Sequence, residues 1–313
     1  MPTVSVLTPS FNYAGGYLED CIKSVLQQSS SVEVQHVIVD DGSTDDSWDV
    51  IKALHPTWRR DCVRQENRGQ FATLNRALGM ATGEWILWLN ADDFLLPATL
   101  RLAQRTLERV PDAQIIFGDT IFVDGDERFM RLVAQPRFDR RILRGGYNLF
   151  HTPSVLWRKD LLPAGQGFDE SMKLLGDLDL WLTITAGNVN IVKIDAPMSA
   201  FRRHSGQISA SERPSDLAEL RRIVERHRLR AYARSIASAT RASSTLQARF
   251  RHAWLKAVDG GWLAEWRLRP YRGVRMDWMN GHWIAAMESD RARITIGRSE
   301  GEHGGLHRLR LDA

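Results

Sequence analysis

Val37-Ile38-Val39-Asp40-Asp41-Gly42-Ser43-Thr44-Asp45 is an apolar, β-branched run that ends in an acidic pair, a glycine and two hydroxyl residues. That order of residues reads as a buried strand, beginning near Val34, that stops in a tight turn before a helix. Thr44 or Asp45 can cap the helix, which carries Trp48, Ile51 and Leu54 on one side. Upstream, residues 4–8 form a short strand closed by Pro9, and residues 17–28 place Leu18, Cys21, Ile22, Val25 and Leu26 at helical spacing. Downstream come a weaker strand over residues 60–65 and a helix over 70–80, with Phe71, Leu74, Ala77 and Leu78 on one side. A near-continuous apolar strand over 85–89, a helix over 97–109 and a strand over 113–117 continue the alternation. The pattern predicts an α/β fold: a doubly wound, mostly parallel sheet buried on both faces by helices.

Composition agrees with a folded enzyme-sized chain. Of 313 residues, 43% are hydrophobic and 26% charged, which excludes disordered, collagenous and disulfide-scaffold classes. Cys21 and Cys62 show no CxxC spacing, so there is no zinc cluster or redox pair, and Cys21 reads as core. No stretch reaches ~18 apolar residues and the first strand follows Met1-Pro2-Thr3 directly, so a cytoplasmic chain is expected. The charge is uneven. Residues 211–313 hold 20 Lys+Arg against 12 Asp+Glu, and residues 1–210 hold 22 against 26. Five of the 11 tryptophans (Trp254, Trp262, Trp266, Trp278, Trp283) lie in that basic part among Arg267, Arg269, Arg272 and Arg275. This shift divides the chain into residues 1–210 and a basic, mostly helical extension over 211–313.

In open parallel sheets ligands bind beyond the carboxyl ends of the strands. Those ends carry Ser10-Phe11-Asn12-Tyr13, Asp40-Asp41-Gly42-Ser43, Glu66-Asn67-Arg68-Gly69 and Asn90-Ala91-Asp92-Asp93. Any one of them is an ordinary turn, but four share one edge. Two acidic pairs aimed at one crevice would repel unless a cation intervenes, and oxygen ligands select Mg²⁺ or Mn²⁺. Neither G-x-x-x-x-G-K-[ST] nor G-x-G-x-x-G follows the first strand, which argues against an NTPase or a dehydrogenase and leaves little for a nucleotidyltransferase. Asp45 and Asp46 read as helix N-terminal charges, and Asp119, Asp124 and Asp126 as turn formers in a polar connection.

The segments Val4 through Asn12, Val37 through Asp45, Glu66-Asn67-Arg68-Gly69 and Ala81-Thr82-Gly83-Glu84-Trp85 leading to Asn90-Ala91-Asp92-Asp93 resemble glycosyltransferase family 2, with its GT-A fold. The likeness extends to about residue 210 through Thr152-Pro153-Ser154-Val155-Leu156-Trp157-Arg158, Gly167-Phe168-Asp169-Glu170, Asp177-Leu178-Asp179-Leu180-Trp181-Leu182 and Arg202-Arg203-His204-Ser205. It implies an inverting, metal-dependent hexosyltransferase that moves a sugar from a nucleotide-diphosphate donor, with UDP the expected carrier, to an acceptor hydroxyl in cell-surface polysaccharide or glycolipid synthesis. Pro9, Phe11, Asn12, Asp40, Asp41, Asn67, Arg68 and Asp92 would form the nucleotide pocket, with Asp41 on the base. Asp93 would ligate Mn²⁺ or Mg²⁺ with His204, Arg203 would face the diphosphate, and Asp177 would be the catalytic base.

The family usually places Glu before that base, and this chain has Gly176. Asp179 is therefore a rival base, although two positions along a helix turn a side chain by about 200°. Trp157 and Trp181 are second-tier platforms for the acceptor, and Trp181 at i+4 would share the side of Asp177. A catalytically weak nucleotide-binding module on the same fold is the alternative. Leu217, Leu220, Ile223, Val224, His227 and Ala231 recur at helical spacing among Arg221, Arg222, Arg226, Arg228 and Arg230. That helix reads as packing on the domain or as a peripheral contact with the inner membrane face, where polyprenyl-linked acceptors reside. No nucleic-acid motif is present. Residues from Arg291 onward read as a charged, Gly-rich end.

Overall fold

The structure is a computed structural model that describes residues 3–28, 32–207, 215–229, 253, 293–298 and 307–310. The expected alternation opens the chain: β1 (Val4–Ser10), α1 (Tyr17–Gln28), β2 (Val34–Asp40), α2 (Ser47–Leu54), α3 (Trp58–Asp61), β3 (Cys62–Arg64), α4 (Gln70–Met80) and β4 (Trp85–Trp88). The third strand is shorter than its sequence suggests, because Arg60 and Asp61 close α3 and the Asp61 carboxylate holds Arg60 and Thr57. Next come β5 (Phe94–Leu95), α5 (Thr99–Arg109), β6 (Ile115–Asp124), β7 (Phe129–Val133), α6 (Arg140–Arg144), β8 (Val155–Arg158), α7 (Gly176–Ile184), β9 (Asn190–Arg203) and α8 (Ser215–Arg226). Two further strands, β10 (Arg293–Arg298) and β11 (His307–Arg310), continue the sheet beyond β9. These strands lie in the charged, Gly-rich end, and most of the extension read as mostly helical lies outside the described residues.

The sheet order is β11-β10-β9-β6-β8-β4-β1-β2-β3. β3, β2, β1 and β4 run parallel, β8 lies antiparallel between β4 and β6, and β6 and β9 are again parallel. β1 connects to β2 on one side, whereas β4 returns to its other side, so the strand order reverses between β1 and β4. A crevice opens at such a switch point. Alternation along β1 sends Leu7 to a core beneath α4, α7 and α8, and Val6 to a second core beneath α1 and α5. β6 runs seven residues past the end of the strand expected over 113–117, so Asp119 is no turn former: it is buried and paired with Lys193 at 3.2 Å. Leu220, Ile223 and Val224 of α8 complete the first core, so this helix packs on the sheet and α7. The expected boundary at 210, Ala231, Arg230 and the Trp/Arg-rich stretch around Trp254, Trp262, Trp266, Trp278 and Trp283 lie outside the described residues. No helix among the described residues is long and apolar enough to cross a membrane.

Candidate active site

A cleft of about 420 Å³ lies at the switch point, floored by the carboxyl ends of β1, β2 and β4. Pro9, Phe11, Asp41, Asn67, Asp92 and Asp177 of the expected site residues line it. Phe11 stands 43% exposed at the mouth, an aromatic face available for stacking.

Asp41 lines one end of the cleft and anchors the loop beside it. Its carboxylate accepts from the backbone N–H of Arg68 at 2.9 Å and of Gly69 at 2.8 Å, and from Gln65 Nε2 at 2.7 Å. The 65–69 loop can come this close only because residue 42 is glycine: it has φ +79°, and a Cβ there would lie 2.9 Å from Asn67 N. Asp40 lies beneath and does not line the cleft. It is fully buried, bonded to Ser43 Oγ and paired with Arg64 Nε at 3.1 Å, while desolvation raises its pKa. Asn12 also serves the loops: Thr44 N donates to its Oδ1 at 2.8 Å and its own N–H donates to Ser43 Oγ at 2.9 Å. The Arg68 side chain points away to Glu170 at 3.4 Å, so only its backbone takes part. Asp45, whose Oδ1 accepts from Ser47 N at 3.0 Å, supplies the start of α2.

The two neighbours Asp92 and Asp93 part company. Asp92 faces the cleft, and its Oδ2 meets Tyr13 Oη at 3.2 Å, His204 Nε2 at 3.1 Å and Gln207 Nε2 at 3.4 Å. Asp93 is fully buried; its Oδ1 accepts from Arg202 N at 2.9 Å, and desolvation followed by the Asp92 charge raises its pKa well above the carboxylate range. Of the two, only Asp92 lines the cleft, and Asp93 Oδ2 is buried without a hydrogen-bond partner among the described residues. The repulsion between two acidic pairs is also largely relieved inside the protein, by Arg64 on Asp40 and backbone donors on Asp41. Among the described residues no three His, Cys, Asp or Glu side chains gather as a ligand set.

His204 is held between aromatic rings, with Tyr17 at 4.9 Å and Tyr13 at 6.1 Å. Arg203 is exposed at the end of β9, and its neighbour Arg202 turns inward instead. Arg202 is 1% exposed; it donates to the Asp92 carbonyl at 3.0 Å, pairs with Asp20 at 2.8 Å and Glu127 at 3.3 Å, and lies over Tyr17 at 4.3 Å. This guanidinium clamps the Asp92–Asp93 turn onto β9.

At the far end, Asp177 begins α7 and lines the cleft. Asn148 Nδ2 donates to its Oδ2 at 2.7 Å and Leu178 N to its Oδ1 at 2.7 Å. Desolvation outweighs both donors and raises the carboxyl to about 6. Asp179 faces the opposite way, where Arg226 Nη1 at 2.6 Å and His227 Nε2 at 2.8 Å hold it, so it is an anchor for α8 and not a rival base. Trp157 and Trp181 are both fully buried core residues, which removes them as acceptor platforms. Gly176 has a neighbour that explains it: a Cβ there would lie 2.3 Å from Phe71 Cζ. The ring fills the place of any side chain before Asp177.

The loop before α7 is tied from outside. Glu219 of α8 is 1% exposed, and its carboxylate accepts from the backbone N–H of Lys173 at 2.8 Å and of Leu174 and Leu175 at 3.0 Å each. Lys173 and Leu174 line the cleft. Sequence reading passed over Tyr13, Phe71, Asn148, Lys173, Arg202, Gln207 and Glu219. Tyr13 sits inside the quoted Ser10-Phe11-Asn12-Tyr13 turn and Phe71 in the apolar stripe of α4, whereas no local signal marks Asn148 or Glu219.

The cleft therefore lies at the carboxyl edge of a doubly wound sheet and is lined by Asp41, Asp92 and Asp177. Residues 5–159 match the family model described as glycosyl transferase family 2, so this part of the chain is a glycosyltransferase domain of that family. The chain is 27% identical over 181 residues to a PGL/p-HBAD biosynthesis glycosyltransferase of Mycobacterium bovis, covering 57% of this chain and 68% of the relative. It is 38% identical over 130 residues to an uncharacterized glycosyltransferase of Nostoc sp., covering 40% of this chain and 38% of that protein. Among solved structures it is similar to S. aureus TarS 1-349 in complex with UDP-GlcNAc, with a TM-score of 0.58 and 22% identity over 72% of this chain and 66% of that one. That likeness shows the GT-A fold.

Proposed function

We propose that this chain is an inverting, metal-dependent glycosyltransferase that takes a UDP-sugar and works in cell-surface glycan or glycolipid synthesis. The observation that carries the reading is a single cleft with Asp41 and Phe11 at one end, Asp92 in the middle and Asp177 at the other. The mycobacterial relative's name places it in PGL/p-HBAD biosynthesis, and TarS was solved with UDP-GlcNAc and with UDP, which supports the donor and product class.

Phe11 and Pro9 offer a face for the base, and the Asp41 carboxylate, set by three N–H donors, keeps lone pairs for an N–H of the pyrimidine. Asp92 and His204, 3.1 Å apart, fit a divalent cation: Mg²⁺ and Mn²⁺ are held by one or two protein ligands with substrate phosphates completing the shell. When bound, the cation neutralises charge on the departing diphosphate. Tyr13 and Gln207 orient Asp92, and Lys173 brings a positive charge to the other wall. Asp177 takes the proton from the acceptor hydroxyl as its oxygen attacks the anomeric carbon. With a pKa of about 6 it is ionised at neutral pH yet more basic than a solvated carboxylate. That basicity favours turnover over the reading as a binding module.

Thermal unfolding with UDP, GDP, dTDP, CDP and ADP, each with and without Mn²⁺, tests the donor site. A nucleotide at 100 times its Kd adds about 2.7 kcal/mol. A shift that needs both UDP and metal is expected, followed by UDP release from a panel of UDP-sugars. No shift with any nucleotide refutes the reading.

A further inference from the structure

We infer that Gln207 is a further ligand of the cation proposed for this cleft, its side-chain amide oxygen joining the Asp92 carboxylate and the His204 imidazole. The inference rests on the metal-dependent reading above. Among the described residues that line the cleft, only Ser10 Oγ and Gln207 Oε1 are buried polar atoms without a hydrogen-bond partner. Ser10 sits beside Asp40 at the end of β1, whereas Gln207 sits against Asp92.

Gln207 is 7% exposed and held from both ends. Its backbone N–H donates to the His204 carbonyl at 3.4 Å, which folds the chain back after β9. A Cβ on Gly206 would lie 3.3 Å from His204 Nδ1, so a glycine lets this turn close beside the imidazole. Gln207 Nε2 donates to the Arg202 carbonyl and, at 3.4 Å, to Asp92 Oδ2. Both partners are acceptors, so the amide cannot be turned over without setting its oxygen against them. Oε1 is thus left without a donor, on an amide that touches Asp92, whose Oδ2 is 3.1 Å from His204 Nε2.

A buried carbonyl oxygen that has given up water costs free energy unless a positive group meets it. Carboxylate and amide oxygens suit Mg²⁺ and Mn²⁺. One carboxylate, a neutral imidazole and a neutral amide set a single negative charge against the two positive charges of the ion. Such a site holds the ion weakly by itself and tightly once a diphosphate supplies the missing anion. A carboxylate at position 207 would supply that anion from the protein.

Mn²⁺ binding to the full chain, followed by loss of the free ion's electron paramagnetic resonance signal with and without UDP, tests the assignment. Gln207→Ala is expected to weaken Mn²⁺ binding in the presence of UDP by about tenfold or more. Gln207→Glu loses Nε2 and both hydrogen bonds it donates but keeps an oxygen; it is expected to bind Mn²⁺ without UDP more tightly than the parent. An amide that serves only to hold Arg202 and Asp92 through Nε2 is lost equally in both variants, so equal weakening overturns the inference. Where the parent takes up Mn²⁺ with UDP and Gln207→Ala matches it, the ligand assignment is overturned and the donor reading stands. Where the parent takes up no Mn²⁺ and UDP leaves Tm unchanged, the metal-dependent reading fails and this inference falls with it. If the variants do not fold, electron–nuclear double resonance of the Mn²⁺–UDP complex decides, on a chain labelled with carbon-13 at glutamine Cδ and carrying Gln70→Met, since Gln70 also lines the cleft. A strong carbon-13 coupling is expected, and its absence overturns the role of Gln207.

Discussion

Replacing Glu219 probes how far the helix beyond the expected domain boundary is part of the catalytic machinery. Its carboxylate is buried and accepts three backbone N–H groups, from Lys173, Leu174 and Leu175, just ahead of α7. Only the Leu175 N–H belongs to the first turn of α7, the other two lying just ahead of it, and an anion placed there also meets the positive end of the helix dipole. Hydrogen bonds to a charged acceptor contribute about 1.5–3 kcal/mol each, and leaving a buried donor unpaired costs about 1–3 kcal/mol. Water can reach the Lys173 side of the loop, so about two of the three are counted in full, and Glu219→Ala is expected to cost about 3–4 kcal/mol. Glu219→Gln keeps one acceptor but turns an amide N–H toward another donor, and about 2 kcal/mol is expected. Urea unfolding followed by circular dichroism measures both, as a fall in midpoint at constant slope. Because Lys173, Leu174 and Asp177 share this segment, transfer should fall further than binding of UDP at the proposed site on the β1, β2 and β4 loops. A Glu219→Ala variant within about 0.5 kcal/mol of the parent, with unchanged turnover, would refute the argument that α8 sets the loop.

The pH dependence of kcat/KM should follow Asp177. The base works only as the carboxylate, so activity is flat above its pKa of about 6 and falls tenfold per unit below it. Asn148→Ala removes a donor that favours the ionised form, so the acid limb should move to higher pH; an unmoved limb would mean that another group is being titrated. Asp177→Asn should keep the UDP-induced Tm shift and lose about 10² to 10⁴ in transfer. Asp92→Asn should abolish the metal-dependent part of the nucleotide shift, while Asp93→Ala should mainly lower the stability of the ligand-free protein; the reverse pattern would return the cation to Asp93. Arg202→Met leaves Asp20 and Glu127 without their shared cation and should cost about 3 kcal/mol, against less than about 0.5 kcal/mol for Arg203→Met, as read from thermal unfolding.

Local sequence settled the first half of the fold. The apolar runs of β1, β2 and β4 and the 3.6-residue spacing in α1 and α4 are short-range patterns, so their strands and helices appear where the chain suggests them. The turns Asp40-Asp41-Gly42-Ser43 and Asn90-Ala91-Asp92-Asp93 likewise announced which sheet edge carries the site, since strand ends of a parallel sheet face one crevice. Which member of each pair reaches that crevice is another matter. Asp41 over Asp40, Asp92 over Asp93 and Arg202 over Arg203 were decided by neighbours distant in sequence: the 65–69 loop, the β9 backbone and the Asp20–Glu127 pair. The burial of Trp157 and Trp181, the fit of Phe71 into the space before Asp177 and the grip of Glu219 on the loop before α7 are also contacts between remote segments. Periodicity carries no information about such contacts, because a side chain's solvation and charge state depend on what packs against it, and only the folded chain assembles those neighbours.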